Sequence, residues 1–161
     1  MAAVQGLGAM IRHVSAEFRA DREIVLAAVR GGGRFLEYAS EELKADQDIV
    51  LAAVQQDGLA LMFASADLTE KREIVLAAVQ QCGLALKNAS AALKEDKEIV
   101  LAAVKEAGLA AMEQASAELR SDKEIGDVAI SREMSLQQQK EQLLGPKMGH
   151  AVLHHQSSRR R

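Results

Sequence analysis

The hydrophobic pattern of the chain is a block of six apolar residues that returns at a fixed interval. Glu23-Ile24-Val25-Leu26-Ala27-Ala28-Val29 recurs as Asp48-Ile49 to Val54, as Glu73 to Val79 and as Glu98 to Val104, each copy 25 residues after the last. Self-similarity at such a period marks a repeat architecture, in which one supersecondary unit buries its apolar surface against its neighbours. Other columns keep the same step: Gly8, Gly33, Gly58, Gly83 and Gly108; Ser15, Ser40, Ser65 and Ser90; Phe18, Leu43, Leu68 and Leu93. One residue is inserted between Gly108 and Ser116, which moves the fifth serine, Leu119 and Ile125 to a spacing of 26.

Every unit predicts the same local structure. Asp21, Asp46, Asp96 and Asp122 stand where an N-cap belongs, able to accept from the free amides of the first turn and to face the positive end of the helix dipole. Lys71 breaks this column, with Thr69 or Glu70 as substitutes. A first helix then runs through the apolar block. Six consecutive apolar residues at 100° each surround the axis, so this helix is expected to be covered on all sides. The Ala-Ala pair permits close approach of a neighbouring helix. The glycine at 33, 58, 83 or 108 is expected in the left-handed conformation that ends or turns a helix.

A second helix follows, as in Leu84 to Ala89, with leucine and alanine on one face and Lys87 and Asn88 on the other, toward solvent. Ser40-Glu41-Glu42-Leu43, Ser65-Ala66-Asp67-Leu68 and Ser116-Ala117-Glu118-Leu119 predict a capped short turn into the next unit. Helices this short are marginal alone, so the units must stack into one array.

The expected fold is all-α, a short α-solenoid of stacked 25-residue helix-turn-helix repeats. A partial unit spans 2–20, and full units follow at 21–45, 46–70, 71–95 and 96–121. A degenerate cap covers 122–130, where Gly126 and Asp127 replace valine and leucine, as suits a terminal unit facing water. A polar, Gln-rich helix at 131–144 ends at Gly145-Pro146, and 145–161 reads as a flexible basic tail.

The arrangement resembles the domain of unknown function 4116 repeat. Its pattern of Asp-x-Glu-hydrophobic-Val-Leu-Ala-Ala-Val, then Gly-x-Ala-Leu-x-x-Ala-Ser-x-x-Leu, is matched at Asp46 to Val54, with Asp48 for the glutamate, and Gly58 to Leu68, and again at Asp96 to Val104. The resemblance covers roughly residues 2 to 130 and departs from the pattern at Lys71, at Arg34-Phe35 and in the last copy. It implies a tandem helical repeat and brings no catalytic motif and no established function.

Composition supports the helical reading and narrows the partners. Aromatic residues make up only 2% of the chain, and the single proline, Pro146, lies near its end. Of 20 basic and 23 acidic residues, four basic ones (Lys147 and Arg159, Arg160 and Arg161) lie after residue 144 with no acid among them, which leaves the body at −7. An acidic body is repelled by phosphate backbones and anionic lipid. The expected partner is therefore a protein, with nucleic acid or an anionic surface left to the tail. No apolar run approaches the roughly 18 residues that span a bilayer. Met1 to Met10 lack a basic leader and fit the repeat register, Ala2-Ala3-Val4 preceding Ala27-Ala28-Val29 by one unit. The lone Cys82 fits a reducing compartment, the cytoplasm or nucleus.

Candidate chemistry is sparse. The repeated serines have only His13 in the array as a base, and five copies at repeat spacing call for a structural cause. Gly31-Gly32-Gly33 lacks the Lys-Ser/Thr of a phosphate loop. His150, His154 and His155 have no Cys, Asp or Glu near them to complete a metal site, and Cys82 has no basic neighbour to activate it. The reading is a non-enzymatic binding scaffold without cofactor or metal. Alternatives are binding through the tail, or a regulatory fragment of a larger multidomain protein.

Binding residues are sought where the copies differ, since packing explains the constant columns. One variable stripe holds the turn positions, among them Gln55, Gln56, Gln80 and Gln81. The other is the outer face of the second helix, with Tyr38, Met62, Phe63, Lys87 and Asn88. Met62 and Phe63 stand out, because aromatic and large apolar anchors dominate interfaces.

Overall fold

The computed structural model describes residues 10–144. The partial unit over 2–9, the Gly145-Pro146 stop and the basic tail with its histidines and arginines lie outside the described residues. Five long helices follow one another: α1 (Arg22–Gly31), α2 (Gln47–Gln56), α3 (Arg72–Gln81), α4 (Lys97–Ala107) and α5 (Lys123–Leu144). Each packs against the next in chain order, and the segments between them form a second layer stacked in the same order. No strand occurs among the described residues. This is the all-α solenoid that the period predicts.

The caps form where expected. Asp21, Asp46 and Asp96 each accept two first-turn amides through one carboxylate oxygen, and Asp122 accepts from the Ile125 amide at 3.2 Å. At α3 the backbone of Lys71 keeps the cap conformation but its side chain caps nothing. Neither proposed substitute fills in, for the Thr69 hydroxyl donates to the carbonyl of Ala66 instead.

The first helix is not covered all round, as the unbroken apolar block suggested. Ile49, Val50, Ala53 and Val54 are fully buried, but Leu51 and Ala52 are only partly so, and α3 and α4 repeat this at Leu76-Ala77 and Leu101-Ala102. A helix in this stack has a neighbour before it, one after it and the second layer beneath. Its fourth side remains open.

The ends of the array show which column faces which neighbour. In α1 the first isoleucine, Ile24, is partly exposed and lines an apolar recess of about 160 Å³ with Met10, Ile11, Val14 and Phe18. In α5 the equivalent Ile125 is buried, whereas Ile130, in the column of the buried Val29, Val54, Val79 and Val104, is 54% exposed. Ile24 and its equivalents therefore face the preceding unit, and Val29 and its equivalents face the next. Gly126 borders open space and Asp127 is exposed. Lys123–Leu144 is one continuous helix, so the last repeat block and the polar stretch form a single element.

The second helix of each unit corrects the prediction. Gly33–Tyr38, Gly58–Phe63 and Gly83–Asn88 are 3₁₀ helices. With three residues per turn, i and i+3 share an edge. Gly83, Leu86 and Ala89 form a buried edge, Leu84 and Lys87 an exposed one, and Ala85 and Asn88 the third. Leu84 is thus 40% exposed although it was expected on the apolar face. In the fourth unit the inserted residue is absorbed by a change of helix type: Leu109–Met112 is α-helical, and the shorter rise of about 1.5 Å per residue, against about 2.0 Å, fits more residues into the same span.

The repeat glycines also have a different cause from the one expected. Only Gly108 has a positive φ among the described glycines, 58°, and its ψ of −137° is not that of a left-handed helical residue. Gly33, Gly58 and Gly83 instead sit against the next long helix, where a Cβ would lie 2.2–2.3 Å from the carbonyl oxygen of Ala53, Ala78 or Ala103. No side chain fits there. Close backbone stacking between units selects glycine.

Short helices or turns join the units. Ala16–Arg19, Glu41–Lys44, Ala66–Thr69 and Ala117–Arg120 are one-turn helices after Ser15, Ser40, Ser65 and Ser116. Ser40 and Ser65 make no side-chain cap bond, contrary to the predicted capped turn, whereas Ser116 accepts the Leu119 amide as predicted. Their column has another bond to make. The amides of Ser40, Ser65, Ser90 and Ser116 donate at 2.9–3.1 Å to the carbonyls of Arg19, Lys44, Thr69 and Lys94 of the unit before. This seam gives each terminal carbonyl a partner in the next unit.

Candidate functional site

The expected surface residues lie on two different layers. Gln55, Gln56, Gln80 and Gln81 are exposed in the last turns of α2 and α3. Tyr38, Met62, Phe63, Lys87 and Asn88 belong to the 3₁₀ layer, where the three-residue period splits the pairs chosen from the sequence. Glu37, Met62 and Lys87 make an exposed edge, with Met62 at 55%. Tyr38, Phe63 and Asn88 make a half-buried edge, and Tyr38 and Phe63 pack on the core.

One of the glutamines also serves the array. The Gln81 carbonyl accepts the amide of Gly58 at 2.9 Å while its amide group approaches the carbonyl of Gln56 at 3.4 Å. Gln81 thereby straps the end of one unit to the next. Arg132, the equivalent residue of α5, donates to the carbonyl of Glu106 at 3.2 Å.

The open side of the long helices carries a feature that the sequence reading missed. Between α3 and α4 lies a recess of about 320 Å³, with Leu76 and Gln80 on one wall and Leu101, Ala102 and Lys105 on the other. Glu98 and Glu106 line it from the first and last turns of α4. The period puts Leu51, Gln55, Leu76 and Gln80 in matching positions on α2 and α3. A row of partly buried leucines (Leu26, Leu51, Leu76, Leu101) thus crosses the array, bordered by the exposed Arg30, Gln55, Gln80 and Lys105. The signal lay in the stacking: a two-layer array leaves one side of an all-apolar helix uncovered.

On the other border of this row stand Glu23, Asp48, Glu73, Glu98 and Glu124, all exposed. Cations of the preceding unit meet three of them. Arg22 bonds Asp46 at 3.0 Å and Asp48 at 2.8 Å; Arg72 bonds Asp96 at 3.1 Å and also Glu98; Lys97 bonds Asp122 at 2.9 Å and Glu124 at 2.8 Å. One rung is missing from this ladder. Gln47 stands where the cation belongs and Lys71 where the cap belongs, so both halves of the rung are replaced together.

The ladder sets the titration of its caps. Partial burial pushes the Asp46 carboxyl up, but the Arg22 hydrogen bond and charge, with the Ile49 and Asp48 amides, outweigh it and hold Asp46 below its ordinary value. Asp96 is held low in the same way, its burial outweighed by the Ile99 amide, Arg72 and the Glu98 amide. The Lys97 hydrogen bond and the Ile125 amide lower Asp122. Arg22, Arg72 and Lys97 are correspondingly raised by their carboxylate partners.

Among the described residues no group of three or more His, Cys, Asp or Glu is placed to hold a metal ion, and no helix is long and apolar enough to cross a membrane. Cys82 is a partly buried free thiol packed near Gly58. A family model, Domain of unknown function (DUF4116), matches residues 1–44, 21–69 and 71–120. The chain belongs to this family. Each DUF4116 match spans about two 25-residue units, and the matches stop before α5. Comparison with curated proteins and with solved structures finds no match.

Proposed function

We propose that this DUF4116 chain is a non-enzymatic scaffold that binds a protein partner across the open side of its long helices. The observation that carries the reading is the leucine row with its unlike borders. The buried columns repeat almost unchanged, while the exposed column beside the leucines runs Arg30, Gln55, Gln80, Lys105. Packing does not account for that variation, and a half-buried apolar row beside polar residues is the anatomy of an interface core with its rim. The exposed Met62 edge of the other layer is a second, smaller contact surface on the same scaffold.

A photo-crosslinking amino acid placed in turn at Gln55, Gln80, Met62 and Glu41 of the full chain, in its host cells, tests the reading. Protein adducts should form from Gln55 and Gln80 and be absent from Glu41. Absence of protein adducts at all four positions, with the chain migrating as a free monomer in native extract, would reject the scaffold role.

A further inference from the structure

We infer that the partner segment taken by the leucine row is an extended peptide with an apolar side chain at every third residue and basic residues between. The inference rests on the scaffold reading and names the chemistry of its ligand. Packed helices lie about 8–10 Å apart, so the row leucines Leu26, Leu51, Leu76 and Leu101, one on each of α1 to α4, recur at about that interval. Three residues of a polyproline II chain make one turn, advance about 9.3 Å and bring the side chain back to the same face. A polyproline II chain crossing the helices therefore sets every third side chain between two row leucines, as over the recess of about 320 Å³ between Leu76 and Leu101.

Gln55 and Gln80 present exposed amides, each both donor and acceptor, at the same position on consecutive helices. An extended peptide offers free N–H and C=O groups to such amides, whereas a helix has bonded its own. On the opposite border, Glu23 and Glu73 form no ion pair among the described residues, and Glu73 falls at the missing rung beside Gln47. Lys71 and Arg72 are the nearest cations in sequence, and Arg72 is committed to Asp96 and Glu98. Basic residues of the peptide would complete that carboxylate row.

Selection of random dodecapeptides on the full chain, followed by fluorescence anisotropy of the enriched sequences, tests the inference. Enriched peptides should place apolar residues three apart with Lys or Arg between. Their binding should weaken about fivefold or more in a Gln55→Ala/Gln80→Ala variant, weaken with added salt, and stay unchanged in Met62→Asp. Enrichment of helical three-four spacing, dependence on Met62 in place of Gln55 and Gln80, or no enrichment would overturn the extended-peptide inference. Crosslinked protein at Gln55 and Gln80 together with any of those outcomes leaves the scaffold intact and removes only its peptide ligand. Loss of the crosslinks removes both.

Discussion

The Gly58 α-carbon lies so close to α3 that a Cβ on it would sit 2.3 Å from the carbonyl oxygen of Ala78. The same virtual atom meets the Cys82 backbone and Cβ at 3.0 Å. Neither neighbour is a flexible side-chain end, so a methyl group there forces two units apart. Gly58→Ala should cost about 1–3 kcal/mol or more, the range for overpacking a rigid interior. Gly126→Ala, where a Cβ meets nothing, should instead raise stability by about 0.5–1 kcal/mol through the helix propensity of alanine. Guanidinium denaturation midpoints of the two variants check the pair; equal effects would show that propensity, and not stacking, decides the glycine column.

Restoring the missing rung should tighten the joint between α2 and α3. Lys71→Asp alone recreates the cap made by Asp46 and Asp96, a change of about 0.5–2 kcal/mol. Gln47→Arg alone places a guanidinium between Lys71, which repels it, and Glu73, which attracts it, and should give little net gain. The double variant should exceed the sum of the two, because Arg22 and Arg72 each contact both the cap and the acid two residues beyond it. A double-mutant cycle of thermal melts measures that coupling; strict additivity would mean that the rungs do not act across units.

The period and the aspartate caps could be read from the sequence, because each depends on residues near in the chain or on strict repetition, whereas which columns of the apolar block are buried could not. What escaped depended on contacts between units. The glycines look like helix stops until Ala53, Ala78 and Ala103 are placed against them. Gln47 and Lys71 look like two unrelated departures, yet they lie 24 residues apart, as Arg22 and Asp46 do, and so belong to one rung. The 3₁₀ geometry was hidden because six residues hold too little pattern to separate a three-residue period from 3.6. That is why Met62 and Phe63 were paired on one face.

Acid should loosen the array through the same caps. Asp46, Asp96 and Asp122 titrate below their ordinary value when folded, and about 3.9 is the value in an unfolded chain. A lowered folded value means that their contribution is complete above about pH 3.9 and is lost as pH falls toward the folded values. Asp96→Asn keeps a cap acceptor but removes the charge facing Arg72, so it should be less stable than the parent at pH 7 and lose less on acidification. Circular dichroism melts between neutral pH and pH 3 check this, and parallel curves would exclude the Asp96 pair as a source of acid sensitivity.

Met62 and Phe63 are adjacent in sequence but stand on different edges of their 3₁₀ helix, so their substitution should separate binding from folding. Met62 is 55% exposed, and Met62→Asp should change stability by no more than about 0.5 kcal/mol, as is usual at the surface. Phe63 packs against the core while partly exposed, so Phe63→Ala should cost about 1–3 kcal/mol, below the ~3–5 of a fully buried phenylalanine. If the order were reversed in denaturant melts, the two side chains would have exchanged edges. That requires a 3.6-residue turn between Gly58 and Phe63, and with it a different placement of every exposed residue on that layer.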